Sequence, residues 1–161
     1  MKRIFPAVLL LAFVSAGAAF AQGGPGFRRW GLRAGVSDRP DQILVGVQAD
    51  FGELIDKLTF EPNLELGVGD DQTIFSLGAP VFIRFPEAGQ FDFYGGGGIA
   101  LGLVDRDEED EAGEDDGLEF VIAPLLAAGL TWPVGESEAG AELAVTANEL
   151  QNVKLVFRWM F

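Results

Sequence analysis

Residues 152–161, NVKLVFRWMF, carry the reading that decides the fold. Val153, Leu155, Phe157, Trp159 and Phe161 fall on one face of an extended strand, and Lys154, Val156, Arg158 and Met160 fall on the other. A strand that ends on a large exposed apolar face is costly in water. It becomes favourable where that face meets lipid and the last aromatic sits at the membrane–water interface.

Working outward, turn residues recur at regular intervals, the chain holds 22 glycines, and apolar residues alternate with period two. Eight strand segments result, over residues 30–36, 43–51, 58–68, 73–85, 91–104, 118–132, 139–145 and 153–161. One phase of every segment is free of charge, and Thr73 is its only polar side chain. The other phase holds Arg33, Asp50, Glu61, Glu65, Arg84, Asp92, Glu119, Glu142, Lys154 and Arg158, spaced by Gly and Ala.

Alternation alone does not say which face is inside. A soluble sandwich or lipocalin-like barrel turns the apolar phase inward. Three features favour the inverse. Charges of both signs beside Gly, Ala and Tyr suit a cramped, cross-paired lumen. Trp30, Phe60 and Phe91 near segment starts, with Phe51, Phe85, Trp132 and Phe161 at segment ends, form one aromatic ring if strands alternate up and down. The connections at that end (52–57, 86–90 and 133–138) are compact, whereas the long acidic connection lies at the other. The fold expected is all-β, a closed antiparallel up-and-down transmembrane β-barrel of eight strands. Closure hides every strand edge from lipid. Pro62, Pro80 and Pro124 each remove a ladder donor and require bulges or strand ends.

The start of the chain reads as a secretory signal peptide: Lys2 and Arg3, an apolar run over 8–14, then Ala19-Phe20-Ala21 before the expected cut. The organisation expected is a cleaved signal over 1–21, a short periplasmic segment over 22–29 and a barrel over 30–161. Removing Lys2 and Arg3 takes the formal charge from −14 to −16. Such a chain repels phosphate and is not expected to bind nucleic acid. No cysteine is present, so there is no disulfide framework.

With these residues in view, the chain resembles the small eight-stranded outer-membrane β-barrels of Gram-negative bacteria, the OmpA/OmpX-like superfamily. Gly78-Ala79-Pro80-Val81-Phe82-Ile83-Arg84-Phe85, followed by Phe93-Tyr94-Gly95-Gly96-Gly97-Gly98, is similar to a hairpin of that family. The last strand resembles the family's assembly signal at Lys154, Trp159 and Phe161, with Val156 where glycine is usual. The resemblance implies a monomer in the outer membrane, contacts with its lipids and lipopolysaccharide, and delivery by the outer-membrane insertion machinery.

The candidate site is the lumen charge network named above. A proton or ion path is one reading; a packed structural plug is the other, and eight staves leave room only for side chains. Residues 105–117, DRDEEDEAGEDDG, hold nine acids against Arg106. Asp105, Asp107, Glu109, Asp110, Glu111, Asp115 and Asp116 are a weak candidate for divalent cations, without the EF-hand glycine at the sixth position. Runs of like charge are usually solvated. Gly95–Gly98 lacks the Lys-Ser/Thr of a phosphate loop. No histidine or cysteine is present, and Ser37, Ser76 and Ser137 have no base beside them in sequence. Glu61 and Glu65 share a face, as carboxylates in structural lumens do. No cofactor and no catalysis are expected. The function expected is a structural or surface-presentation role, with a narrow channel or carrier, or a soluble secreted ligand-binding barrel, as alternatives.

Overall fold

The computed structural model describes residues 26–69, 72–88, 90–106, 119–147 and 150–161. Among the described residues ten strands form: β1 (Arg29–Asp38), β2 (Gln42–Asp50), β3 (Glu53–Ile55), β4 (Leu58–Phe60), β5 (Asn63–Gly69), β6 (Gln72–Ala88), β7 (Phe91–Arg106), β8 (Glu119–Val134), β9 (Ser137–Thr146) and β10 (Val153–Met160). They make one antiparallel sheet in the order β3-β4-β6-β5-β2-β1-β10-β9-β8-β7, and the β6–β7 pairing closes it.

Ten strands build eight staves. β2 runs on into β3 through Phe51-Gly52, and β4 into β5 through Glu61-Pro62. Backbone bonds from Ala49 N–H to the Pro62 carbonyl and from Phe51 N–H to the Phe60 carbonyl carry the pairing across both interruptions. The single third strand expected over 58–68 is therefore two strands, and the break falls at Pro62. Gly52, at φ +73°, supplies the matching kink in its partner. The connection expected over 52–57 contains β3, so the second stave runs on and the turn shrinks to Asp56-Lys57; the other staves lie where the alternation puts them.

The prolines fit because each points its missing donor at a gap. In an antiparallel strand a residue's N–H and C=O face the same neighbour. The Pro80 carbonyl accepts from Glu61 N–H, so the absent N–H of Pro80 faces the β4–β5 junction. The Pro124 carbonyl accepts from Ala147 N–H, one residue past the end of β9. Neither position interrupts a regular ladder.

The apolar phase faces out. Leu126 is 66% exposed and Leu155 57%, whereas Glu65 is 1% exposed and Arg158 1%. A wall of this composition, without edges, is what hydrocarbon accepts. Near the start of β1 and the end of β10 the outer aromatics touch around the wall: Phe51 with Phe60, Trp30 stacked on Phe161 at 4.8 Å, Phe91 with Trp132, Trp132 with Phe157, and Phe157 with Trp159. Both ends of the barrel chain lie at this rim, with the turns after β3, β6 and β8. β1, β5, β7 and β9 end at the far rim. β6, β7 and β8, at 17, 16 and 16 residues, stand longer than β1 and β10, at 10 and 8.

Candidate functional site

The inward phase of the strands fills the lumen, and it does so in two different ways. On the side of β1, β2, β5, β9 and β10, joined at the terminal rim by Arg84 of β6, the fill is ionic. Arg33 donates to Glu65 Oε1 and Glu142 Oε1, each at 2.7 Å, and to Gln48 Oε1 at 2.9 Å. Lys154 Nζ donates to the other oxygen of Glu65. Nearer the terminal rim, Glu61 accepts from Arg84, from Arg158 and from the Thr59 hydroxyl. Arg29 closes that rim, bonded to Asp50 at 3.0 Å and to Glu138 at 3.2 Å. The set holds five cations (Arg29, Arg33, Arg84, Lys154, Arg158) against five carboxylates (Asp50, Glu61, Glu65, Glu138, Glu142), so it is neutral as a whole.

Arg158 is the most deeply buried of these cations, 1% exposed. Its guanidinium lies 5.0 Å from the centre of the Tyr94 ring and its Nη1 is 3.7 Å from Glu142 Oε2. Nε and Nη1 have no hydrogen-bond partner among the described residues. The ring contact recovers part of what those donors forgo. Tyr94 in turn donates its hydroxyl to Glu142 Oε2 at 2.8 Å and fits because residue 129 is glycine: a Cβ there would strike the Tyr94 ring.

On the side of β6, β7 and β8 the fill is apolar. Ile74, Phe82, Tyr94, Ala100, Val104, Ala123, Leu125, Ala127 and Ala144 pack as one buried cluster, with Phe82 edge-on to Tyr94 at 4.9 Å. Leu150, from the far-rim connection between β9 and β10, drops into the same cluster and is 1% exposed. It occupies the space over Gly102, where a Cβ would collide with its methyls. Beside it Gln151 bonds to the Gln42 side chain at 2.8 Å, while its carbonyl accepts from the Thr146 hydroxyl at 3.0 Å. The far mouth is thus stoppered by the chain's own side chains.

Of the ten residues expected in the lumen network, the structure brings Arg33, Glu61, Glu65, Arg84, Glu142, Lys154 and Arg158 into one connected set. Asp50 joins at the rim, through Arg29. Asp92 and Glu119 follow the same phase but are exposed. Asp92 sits at the start of β7 on the terminal rim and Glu119 at the start of β8 on the far rim, where the long staves have already left the packed section.

Sequence reasoning missed three things. It placed Arg29 in the preceding segment and Glu138 in a turn, although both lie in strands and pair. It also read the inward phase as polar throughout, whereas Ile74, Phe82, Val104 and Leu125 make half of it apolar. The available signal was spacing. Arg29 and Arg33, Glu61 and Glu65, Glu138 and Glu142, and Lys154 and Arg158 are all four apart, hence on one face.

The assembly-signal residues are also placed. Lys154 is buried in the network, Trp159 is half-buried in the aromatic belt, and Phe161 stacks on Trp30. In the acidic segment, Asp105 is exposed at the end of β7; Asp107, Glu109, Asp110, Glu111, Asp115 and Asp116 lie outside the described residues. The Ser37 hydroxyl donates to the Pro40 carbonyl at 2.8 Å.

No protein-family model matches this sequence, and no curated protein does. Solved structures do. Neisserial surface protein A is similar over 82% of this chain and 90% of its own, with a TM-score of 0.53 and 16% identity. The outer membrane protein Ail of Yersinia pestis is similar over 83% and 97%, with a TM-score of 0.50 and 11% identity. The outer membrane enzyme PagL is similar over 83% and 99%, with a TM-score of 0.52 and 11% identity. At these identities the likeness is one of fold. The chain has the fold of the small eight-stranded outer-membrane β-barrels, the architecture its sequence resembles.

Proposed function

We propose that the chain is exported, inserted into the outer membrane of a Gram-negative cell, and serves there as a non-enzymatic structural barrel that displays its far-rim connections at the surface. The filled lumen is the observation that carries this reading. A neutral ionic lattice occupies one side and an apolar cluster stoppered by Leu150 the other. A wall of bare hydrocarbon side chains gives the exterior one natural solvent, lipid. The short apolar leader with its small-residue end supports export. The aromatic rim beside the termini supports an orientation with both ends in the periplasm.

The enzyme among the similar structures lends its fold and no chemistry. With no histidine and no cysteine in the sequence, this chain lacks the commonest general base and the readiest nucleophile. Delivery by the outer-membrane insertion machinery, read through Lys154, Trp159 and Phe161, belongs to the same proposal. So do a monomeric state and contact with outer-membrane lipids and lipopolysaccharide.

Two measurements test it. Fractionation of cells making the full chain should recover the protein with the outer membrane; recovery in the soluble periplasm would end the membrane reading. The purified protein in planar lipid bilayers should give no discrete unitary conductance. Stable single-channel steps would replace the structural role with a channel.

A further inference from the structure

Seven of the eight stave junctions join neighbours in sequence. The eighth, between β1 and β10, joins the two ends of the barrel and has no turn to set it. Such a junction carries the largest loop-closure cost and the weakest local instruction about register. Its lipid face offers little instruction either. Leu32, Ala34 and Val36 on β1 meet Trp159, Phe157 and Leu155 on β10, and a slip of two residues would again set apolar against apolar.

We propose that the lumen charges are an electrostatic clasp that closes this seam and fixes its register. β1 and β10 hold four of the five network cations and none of its carboxylates. Each of these cations reaches past the opposite closing strand to a carboxylate on the far side. From β1, Arg29 pairs with Glu138 and Arg33 with Glu142, both on β9. From β10, Lys154 pairs with Glu65 on β5 and Arg158 with Glu61 at the β4–β5 junction.

The spacing turns these pairs into a ruler. Each partner set is four residues apart, about 13 Å along a strand. β1 and β9 run the same way, so Arg29 and Arg33 meet Glu138 and Glu142 in order. β10 and β5 run opposite ways, so Lys154 meets the later glutamate and Arg158 the earlier. A two-residue slip displaces β10 by about 7 Å and breaks every rung. Glycine clears the crossings. Gly46 lies between Arg33 and Glu65, and Gly140 lies opposite Arg158. A Cβ at either would approach the Glu65 or the Arg158 Cγ to 2.9 Å.

The chain has no native cysteine, so disulfide trapping reports the seam cleanly. Ala34→Cys with Phe157→Cys reads the native register, and Ala34→Cys with Leu155→Cys or Trp159→Cys reads a slip. Ala34→Cys with Val45→Cys reads the β1–β2 hairpin. In the refolded full barrel, Glu61→Gln with Glu65→Gln should cut native seam cross-linking severalfold and raise a slipped product, leaving the hairpin cross-link unchanged. Tyr94→Phe, which removes a lumen bond that does not span the seam, should change none of them. Lys154→Gln alone should act in the same direction as the double variant, more weakly. An undiminished native seam in the carboxamide variant would overturn the proposal. So would equal loss of the hairpin cross-link, which would make the charges general to the barrel, or an equal effect from Tyr94→Phe.

Discussion

The two sides of the lumen solve one packing problem with different chemistry. Between β6, β7 and β8 each strand pairs with its neighbour in sequence through the longest ladders of the barrel. Apolar side chains suffice there, since shape is all they must satisfy. At the junction of β1 with β10 no turn supplies the register, and the fill beside it is ionic and directional. The difference teaches that directional contacts collect where the chain gives the least local guidance. Burying ion pairs is a poor way to gain stability, because desolvation offsets most of the attraction. It is a good way to exclude alternatives.

The contrast can be broken most sharply at Glu65. Glu65→Ala leaves Arg33 and Lys154 facing an empty site, and a loss of about 3–5 kcal/mol is expected from urea unfolding in lipid vesicles. On the apolar side, Leu150→Ala should cost about 2–3 kcal/mol, as a methyl-lined space opens over Gly102. The two variants should also differ in kind. The first should disturb the β1–β10 seam, and the second should leave it intact and loosen only the far mouth in hydrogen exchange.

Smaller effects sharpen the boundary between the two sides. Tyr94 bridges them, edge-on to Phe82 and bonded to Glu142. Tyr94→Phe keeps the ring and removes one bond to a carboxylate, for an expected loss of about 1.5–2 kcal/mol in the same unfolding assay. The rim should matter least. Arg29 is partly open to water, and Arg29→Gln should cost no more than about 1 kcal/mol, an effect that fades as salt is raised.

How much of this is legible in the sequence follows from what alternation encodes. Lipid selects for one uniformly apolar face, so the outward phase is written plainly from Trp30 to Phe161, and the stave count follows. The lumen obeys a weaker rule: its residues need only fit one another. Ile74, Phe82, Val104 and Leu125 satisfy that rule as well as charges do, and nothing in a period of two distinguishes them from a polar phase with gaps. The Glu61-Pro62 break is visible as a proline, but its consequence, two short strands sharing one stave, depends on Pro80 lying across from it. The exposure of Asp92 and Glu119 shows a different limit. Phase gives direction, while height in the barrel depends on strand tilt and on neighbours of unequal length.

The central claim is that the charge-free phase faces acyl chains while the ionic phase is sealed inside. Nitroxide labels at Leu126→Cys and Leu155→Cys in the reconstituted barrel test it most directly. An apolar-out barrel predicts faster relaxation by dissolved oxygen, which partitions into hydrocarbon, than by a water-soluble nickel chelate. The opposite ranking at both sites would place those side chains in water and contradict the claim.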